Sequence, residues 1–220
     1  MRLRDREVES YEIINNYLSD VAQTFESFPL WHIAKVIQVL DKARESGKRV
    51  YICGNGGSAA TASHFACDLA KGAICSNRPR LRVFSLTDGN PLLTAWANDT
   101  NYSNVFAEQL KNFVEPDDIV IAISGSGNSA NILNAVQEAN LRGAITIGFS
   151  GFDGGQLKDV VDISVNVPNH TMEQVEDLHL ILAHMIAVTL RNKPDTEKQF
   201  FDESRGAQVA VEPAQVVSVM

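Results

Sequence analysis

His64 and Asp68 lie four positions apart in a stretch that reads as helical, TASHFACDLA, so both side chains project from one face. Glu176 and His184 lie eight apart in a long apolar segment further on, again near one face. Two imidazoles and two carboxylates make a nitrogen–oxygen donor set of the kind that holds zinc. The same groups can move protons. Each also has a plainer reading. A lone histidine in an apolar helix is more often a hydrogen-bonded structural residue. Asp68 alone reads as a solvated helix charge, and Glu176 with Asp177 as an exposed acidic edge. His179 shares the last helix away from the Glu176/His184 stripe and reads as a supporting or interface residue. His32 and His170 show no partner pattern, and Cys67 reads as a small buried residue.

Two other stretches carry chemistry in the backbone. CGNGGSA (53–59) and ISGSGNSA (123–130) are turns rich in Gly, Ser and Asn, and each follows an apolar run. Glycine brings main-chain N–H groups close to a ligand, and a helix that starts there adds its free amides and positive end. Ser58 reads as a helix N-cap, and Ser124, Ser126, Asn128 and Ser129 add donors to the second turn. Such donors suit an anion like a sugar phosphate without a lysine. The plainer reading is that tight turns between strand and helix use these residues for geometry and capping. A nucleotide-triphosphatase motif, G-x-x-x-x-G-K-[ST], is absent. GNGGSA formally matches G-x-G-x-x-[GA], but the nearest acid at a strand end, Asp88, lies too far along for a dinucleotide site.

The elements that must position these residues alternate. Helices are expected over 5–28 and 30–46, as an opening pair, then over 58–71, 91–99, 105–114, 130–143 and 171–192. Strands are expected over 50–54, 81–86, 118–124, 145–150 and 161–167. Strands separated by helices imply a parallel sheet covered on both faces, a doubly wound α/β domain of five strands with flavodoxin-like winding. Such sheets bind ligands beyond the carboxyl ends of their strands, where both turns lie. Residues 1–193 read as one domain, and 194–220 as a flexible or partner-dependent tail.

The 220 residues suit one such domain. The net charge of −8 speaks against a duplex nucleic-acid face. No apolar run approaches the length of a membrane span, and no leader is apparent. Three cysteines, Cys53, Cys67 and Cys75, in no metal-type pairing, suggest reduced thiols in a cytoplasmic protein.

The pieces GNGGSAATASHFACDLA (54–70), NRP (77–79), ND (98–99), DIVIAISGSGNSANILNAV (118–136), FDGG (152–155) and VEDLHLILAH (175–184), in this order, resemble the sugar isomerase (SIS) family, and within it the branch that isomerises phosphorylated heptoses. The resemblance implies a homotetramer with active sites at subunit interfaces and a divalent metal, usually zinc, held by His64, Asp68, Glu176 and His184. It implies phosphate held by Ser58, Ser124, Ser126 and Ser129, with Asn55, Gly56, Gly57 and Gly125 as further substrate-binding positions. It also implies conversion of sedoheptulose 7-phosphate to glycero-manno-heptose 7-phosphate through an enediol(ate), with Asp68 and His184 as the proton-transfer pair and Glu176 as an alternative base. Asp99, in the ND pair, would order the site; its plainer reading is a turn or cap aspartate. The chain departs from the family pattern at Asp68, where glutamate is usual, at Glu176, where glutamine is usual, and at Gly72, where some members carry a substrate-binding arginine. Lys71 and Arg78 are the nearby cations that could stand in. One branch of the family binds a replication initiator and lacks the final histidine, which this chain keeps as His184.

Overall fold

The computed structural model describes residues 3–193, with side chains from residue 7 onward. The tail expected over 194–220 lies outside the described residues. The chain opens with α1 (Leu3–Thr24), a short 3-10 turn and α2 (Leu30–Ser46). It then alternates: β1 (Arg49–Gly54), α3 (Gly57–Cys67), β2 (Arg82–Ser85), α4 (Asn90–Asp99), α5 (Ala107–Phe113), β3 (Ile119–Ile123), α6 (Ala130–Leu141), β4 (Ile145–Ser150), α7 (Leu157–Val160), β5 (Ile163–Asn166) and α8 (Met172–Asn192). A π-helical turn, Asp68–Gly72, extends α3, and a 3-10 turn, Tyr102–Asn104, precedes α5. The first helix ends four residues before the expected 28, because the chain tightens into the 3-10 turn at Phe25–Ser27. The four-residue α7 was not expected; one turn of helix carries too little periodicity to read.

The sheet has five strands in the order β2-β1-β3-β4-β5, and every pairing is parallel. This is the flavodoxin-like order, as expected. Strands covered on both faces must be apolar throughout, and β3, IVIAI, is buried at every position. Alternate side chains feed two cores. Val50, Ile52, Ile121 and Phe149 face α2, α3 and α8, where they meet Leu40, Phe65 and Leu182. Tyr51, Cys53, Val120 and Ala122 face α5, α6 and α7, where they meet Leu110, Val136 and Leu157. Burial pushes the Cys53 thiol up to about 12, which leaves it inert.

A buried carboxylate fixes the register of the two central strands. Asp118 is 1% exposed. Its Oδ1 accepts the Arg49 main-chain N–H at 2.8 Å, and its Oδ2 accepts the Glu115 N–H at 3.0 Å. The start of β1 is thereby tied to the start of β3. The opening helix is less engaged: Tyr11, Ile14 and Leu18 on α1, and Trp31 on α2, are exposed at 60–75%.

Removing the Asp118 carboxylate orphans two main-chain donors at the sheet's centre. Asp118→Ala is expected to cost about 2 kcal/mol, seen as a melting temperature lower by about 4–8 °C. Asp118→Asn, which keeps one acceptor, should cost less; equal melting of all three proteins would refute the tie.

Candidate active site

β1 pairs with β2 on one side and β3 on the other, so the winding reverses between β1 and β3. The helices that follow these two strands, α3 and α6, pack in different cores on opposite faces of the sheet. A crevice therefore opens at the carboxyl ends of β1 and β3, and both Gly/Ser turns flank it.

In the first turn, α3 begins at Gly57 with Gly56 as its cap. The Ala59 and Ala60 amides bond back to Asn55 and Gly56 carbonyls at 3.1–3.2 Å. That leaves the Gly57 and Ser58 amides at the open helix end. Ser58 is therefore not the N-cap. It is a buried residue inside the first helical turn, because Gly56 takes the bend that a capping side chain would otherwise secure. In the second turn, the Gly127 N–H bonds the Ser124 carbonyl at 3.0 Å, and the Ser124 hydroxyl donates to Ser129 Oγ at 3.3 Å. Ser126 Oγ accepts the Asn128 N–H at 3.3 Å, and Ser129 caps α6 in extended conformation. The FDGG loop supports this turn from behind. Gly127 sits at φ +67°, and a side chain on it would strike the Gly154 carbonyl. Gly125 is buried against Met172 at the start of α8.

α3 and α8 pack side by side, with Gly57 against Glu176 and His64 against His184. The Nε2 atoms of His64 and His184 face each other at 3.2 Å. Asp68 Oδ2 lies 3.6 Å from the first and 3.4 Å from the second. The donor atoms of His64, Asp68 and His184 all lie within 4.8 Å of one another. A tetrahedral ion with ligands at about 2.0–2.1 Å spaces its donors about 3.3 Å apart. The three observed spacings are the edges of such a polyhedron. Asp68 Oδ2 is also buried without a hydrogen-bond partner. Two imidazoles and an orphaned carboxylate oxygen at these separations fit a divalent cation.

Glu176 does not join the other three. Its carboxylate lies against Gly57 Cα, so close that a side chain at 57 would begin 2.2 Å from Oε2. It faces the first turn of α3, the end that the phosphate reading assigns to the anion. Asp68 opens the π turn, in which the Ala73 amide reaches back to the Asp68 carbonyl at 2.7 Å. Such a turn inserts one residue into a helix and re-aims the side chains around it. No residue pattern signals it. Gly72 closes the turn, and a side chain there would begin 3.6 Å from Asp68 Oδ1, in ordinary contact.

The remaining expected residues separate. Arg78 cannot stand in for the family's arginine, because Asp41 and Glu45 hold its guanidinium at 2.7 and 2.6 Å. Lys71 is exposed on the π turn. Asp99 is exposed at the end of α4 and accepts a bond from Asn98 at 2.8 Å. Cys67 is exposed, not buried, because the face of α3 it occupies looks away from both cores. His179 belongs to the core: it is 1% exposed, and its Nε2 lies 3.1 Å from the Ser150 carbonyl. Burial lowers its pKa to about 4, so the ring is neutral. Sequence reasoning missed Asn131, Tyr102 and the cap at Gly56. Asn131, in the quoted SANIL, carried a weak signal as a polar residue at an apolar helix's start.

A family model described as SIS domain matches residues 14–151. Among curated relatives, the probable phosphoheptose isomerase of Thermoplasma acidophilum is 38% identical over 165 residues, covering 74% of this chain and 90% of the relative. The phosphoheptose isomerase of Nitratiruptor sp. is 36% identical over 180 residues, covering 80% of this chain and 95% of the relative. Among solved structures, a phosphoheptose isomerase from Francisella tularensis superposes with a TM-score of 0.77 at 30% identity, covering 88% of this chain and 100% of that one. The phosphoheptose isomerase of Neisseria gonorrhoeae gives 0.73 at 26% identity, covering 86% and 98%.

The buried imidazole predicts an acid weakness. Below pH 6.5 the unfolded chain protonates His179, while the folded chain resists until about pH 4. This group's contribution to stability is whole above pH 6.5 and is lost as the pH falls toward 4. Urea unfolding across that window should show a shallower pH dependence for His179→Gln than for the parent; parallel curves would contradict it.

Proposed function

The chain belongs to the SIS domain family, and we propose that this sugar-phosphate isomerase interconverts sedoheptulose 7-phosphate and D-glycero-D-manno-heptose 7-phosphate. The observation that carries the reading is the meeting of His64, Asp68 and His184 beside α3, the helix whose open N-terminus lines the crevice. A phosphate gripped at one end and a carbonyl presented at the other match a phosphorylated sugar. The seven-carbon substrate is the finer step, supported by the names of the relatives.

Aldose and ketose differ by one proton moved between C1 and C2, with matching proton shifts on the oxygens. The transfer needs a base for the carbon-bound proton and a partner for the oxyanion that develops. When bound by His64, Asp68 and His184, a divalent ion such as zinc supplies Lewis-acid stabilisation of that oxyanion. The phosphate is anchored by the Gly57 and Ser58 amides and by the hydroxyls of Ser124, Ser126 and Ser129. No lysine is required, because helix starts and hydroxyls supply the donors. Anchoring the phosphate fixes which carbons reach His64, Asp68 and His184. With Asp68 Oδ2 and His184 Nε2 turned toward one shared point, Glu176 is the carboxylate left uncommitted. We assign the carbon-bound proton to Asp68 and His184, which stand at the carbonyl end, with Glu176, beside the first turn of α3, as the alternative base.

The reading includes a homotetramer with sites at subunit interfaces and a cytoplasmic setting. The exposed apolar side chains of Tyr11, Ile14, Leu18 and Trp31 support the assembly. The free thiols support the setting.

Purified protein should convert sedoheptulose 7-phosphate, lose activity to a chelator and regain it with zinc. His184→Ala should lower kcat by about 10²-fold or more, and Asp68→Asn should lower kcat more than it raises KM; full activity in His184→Ala would end this mechanism. Light scattering should report four chains for the parent and fewer for Leu18→Glu with Trp31→Glu. A monomeric parent would remove the interface sites from the proposal.

A further inference from the structure

We propose that Asn131 and Tyr102 are positioning residues that lock the two anion-binding turns together through Asn55. The inference rests on the sugar-phosphate reading of those turns and adds to it how their spacing is set. Asn55 lies in the first turn and Asn131 in the first turn of α6, on the far side of the crevice. Their side-chain amides bond reciprocally: Asn55 Nδ2 donates to Asn131 Oδ1 at 2.8 Å, and Asn131 Nδ2 donates to Asn55 Oδ1 at 2.8 Å. The Tyr102 hydroxyl donates to the same Asn55 Oδ1 at 3.0 Å. The 3-10 turn that carries Tyr102 is itself moored to α6, because Asn134 Nδ2 donates to the Ser103 carbonyl at 2.9 Å.

These bonds close a circuit: α6 to Asn55, Asn55 to Tyr102, and Tyr102 back to α6. The circuit spans the place where the sheet's winding reverses, between β1 and β3. The β1–β3 ladder reaches only the base of the two turns, pairing Gly54 with Ile123, and beyond it α3 and α6 leave on opposite faces. Asn131 is 3% exposed, so its loss would strand a partly buried amide on Asn55. The bonds also redefine Asn55. Its oxygen accepts two donors and its nitrogen spends one hydrogen on Asn131, which leaves a single N–H to offer a ligand. Asn55 therefore works chiefly as a tie, and its neutrality matters: a carboxylate at 131 would set a negative charge beside the anion.

Inorganic phosphate is the probe, titrated calorimetrically into the full chain and its variants. Asn131→Ala should weaken phosphate about tenfold, and Tyr102→Phe a few-fold. Asn55→Ala combined with Asn131→Ala should bind no worse than Asn55→Ala alone, because Asn131 acts through Asn55. With a sugar phosphate as substrate, both single variants should raise KM more than they lower kcat. A merely structural role would lower the melting temperature and leave phosphate affinity alone. Tyr102 is 53% exposed, so Tyr102→Phe tests the tie even if Asn131→Ala fails to fold. Parental phosphate affinity in Tyr102→Phe and in a folded Asn131→Ala overturns the proposal. A parent that binds no phosphate overturns the anion reading and the tie together. A parent that binds phosphate but turns over no sugar phosphate overturns the isomerase reading, and the phosphate affinities then judge the tie alone.

Discussion

Parallel pairing of β1 with both its neighbours is the constraint from which the rest follows. Hydrogen bonds from β1 run to β2 on one edge and β3 on the other, all strands pointing the same way. Each crossover must then return through a helix, and right-handed crossovers send those helices to opposite faces on either side of β1. The starts of α3 and α6 diverge around a gap that the backbone cannot fill. Open amides and oriented helix ends face that gap from both sides. A chain of net charge −8 can still offer an anion neutral, local donors there, although the Glu176 carboxylate stands beside Gly57.

The second half of the site depends on α3 packing against α8, a helix more than a hundred residues later in the chain. The contact sets Glu176 beside Gly57 and His184 beside His64. Only a residue without a side chain at 57 allows the carboxylate so close to the helix start. The π turn at the other end of α3 then re-aims Asp68, whose side chain is one methylene shorter than the usual glutamate, at the two imidazoles. The open first turn of α3 and the His64–Asp68–His184 cluster thus lie along one pair of helices.

At 68 and 176, where the family this chain resembles usually carries glutamate and glutamine, the chain carries aspartate and glutamate. A carboxylate stays with the imidazoles, and a second stands one helical stretch away at the start of α3. Gly72 supplies no cation beside Asp68, and Arg78 is already held on α2 by Asp41 and Glu45.

Much of this was legible in the residues. Strand and helix alternation, the all-apolar β3 and the Gly/Ser turns encode the doubly wound sheet, because burial on both faces leaves a periodic trace in composition. The pairing of His64 with Asp68 was legible too, since helical spacing alone sets it. What the sequence could not decide were contacts between distant segments and local departures from ideal helix. Glu176 turns to Gly57 instead of the imidazoles, Ser58 yields the cap to Gly56, and Asp68 sits on a π turn. Arg78 is consumed by α2, and Asn55 is bound to Asn131 and Tyr102. The Glu176, Arg78 and Asn55 contacts join residues distant along the chain, and the cap and π turn are local backbone geometries, so none of them follows from a residue's spacing.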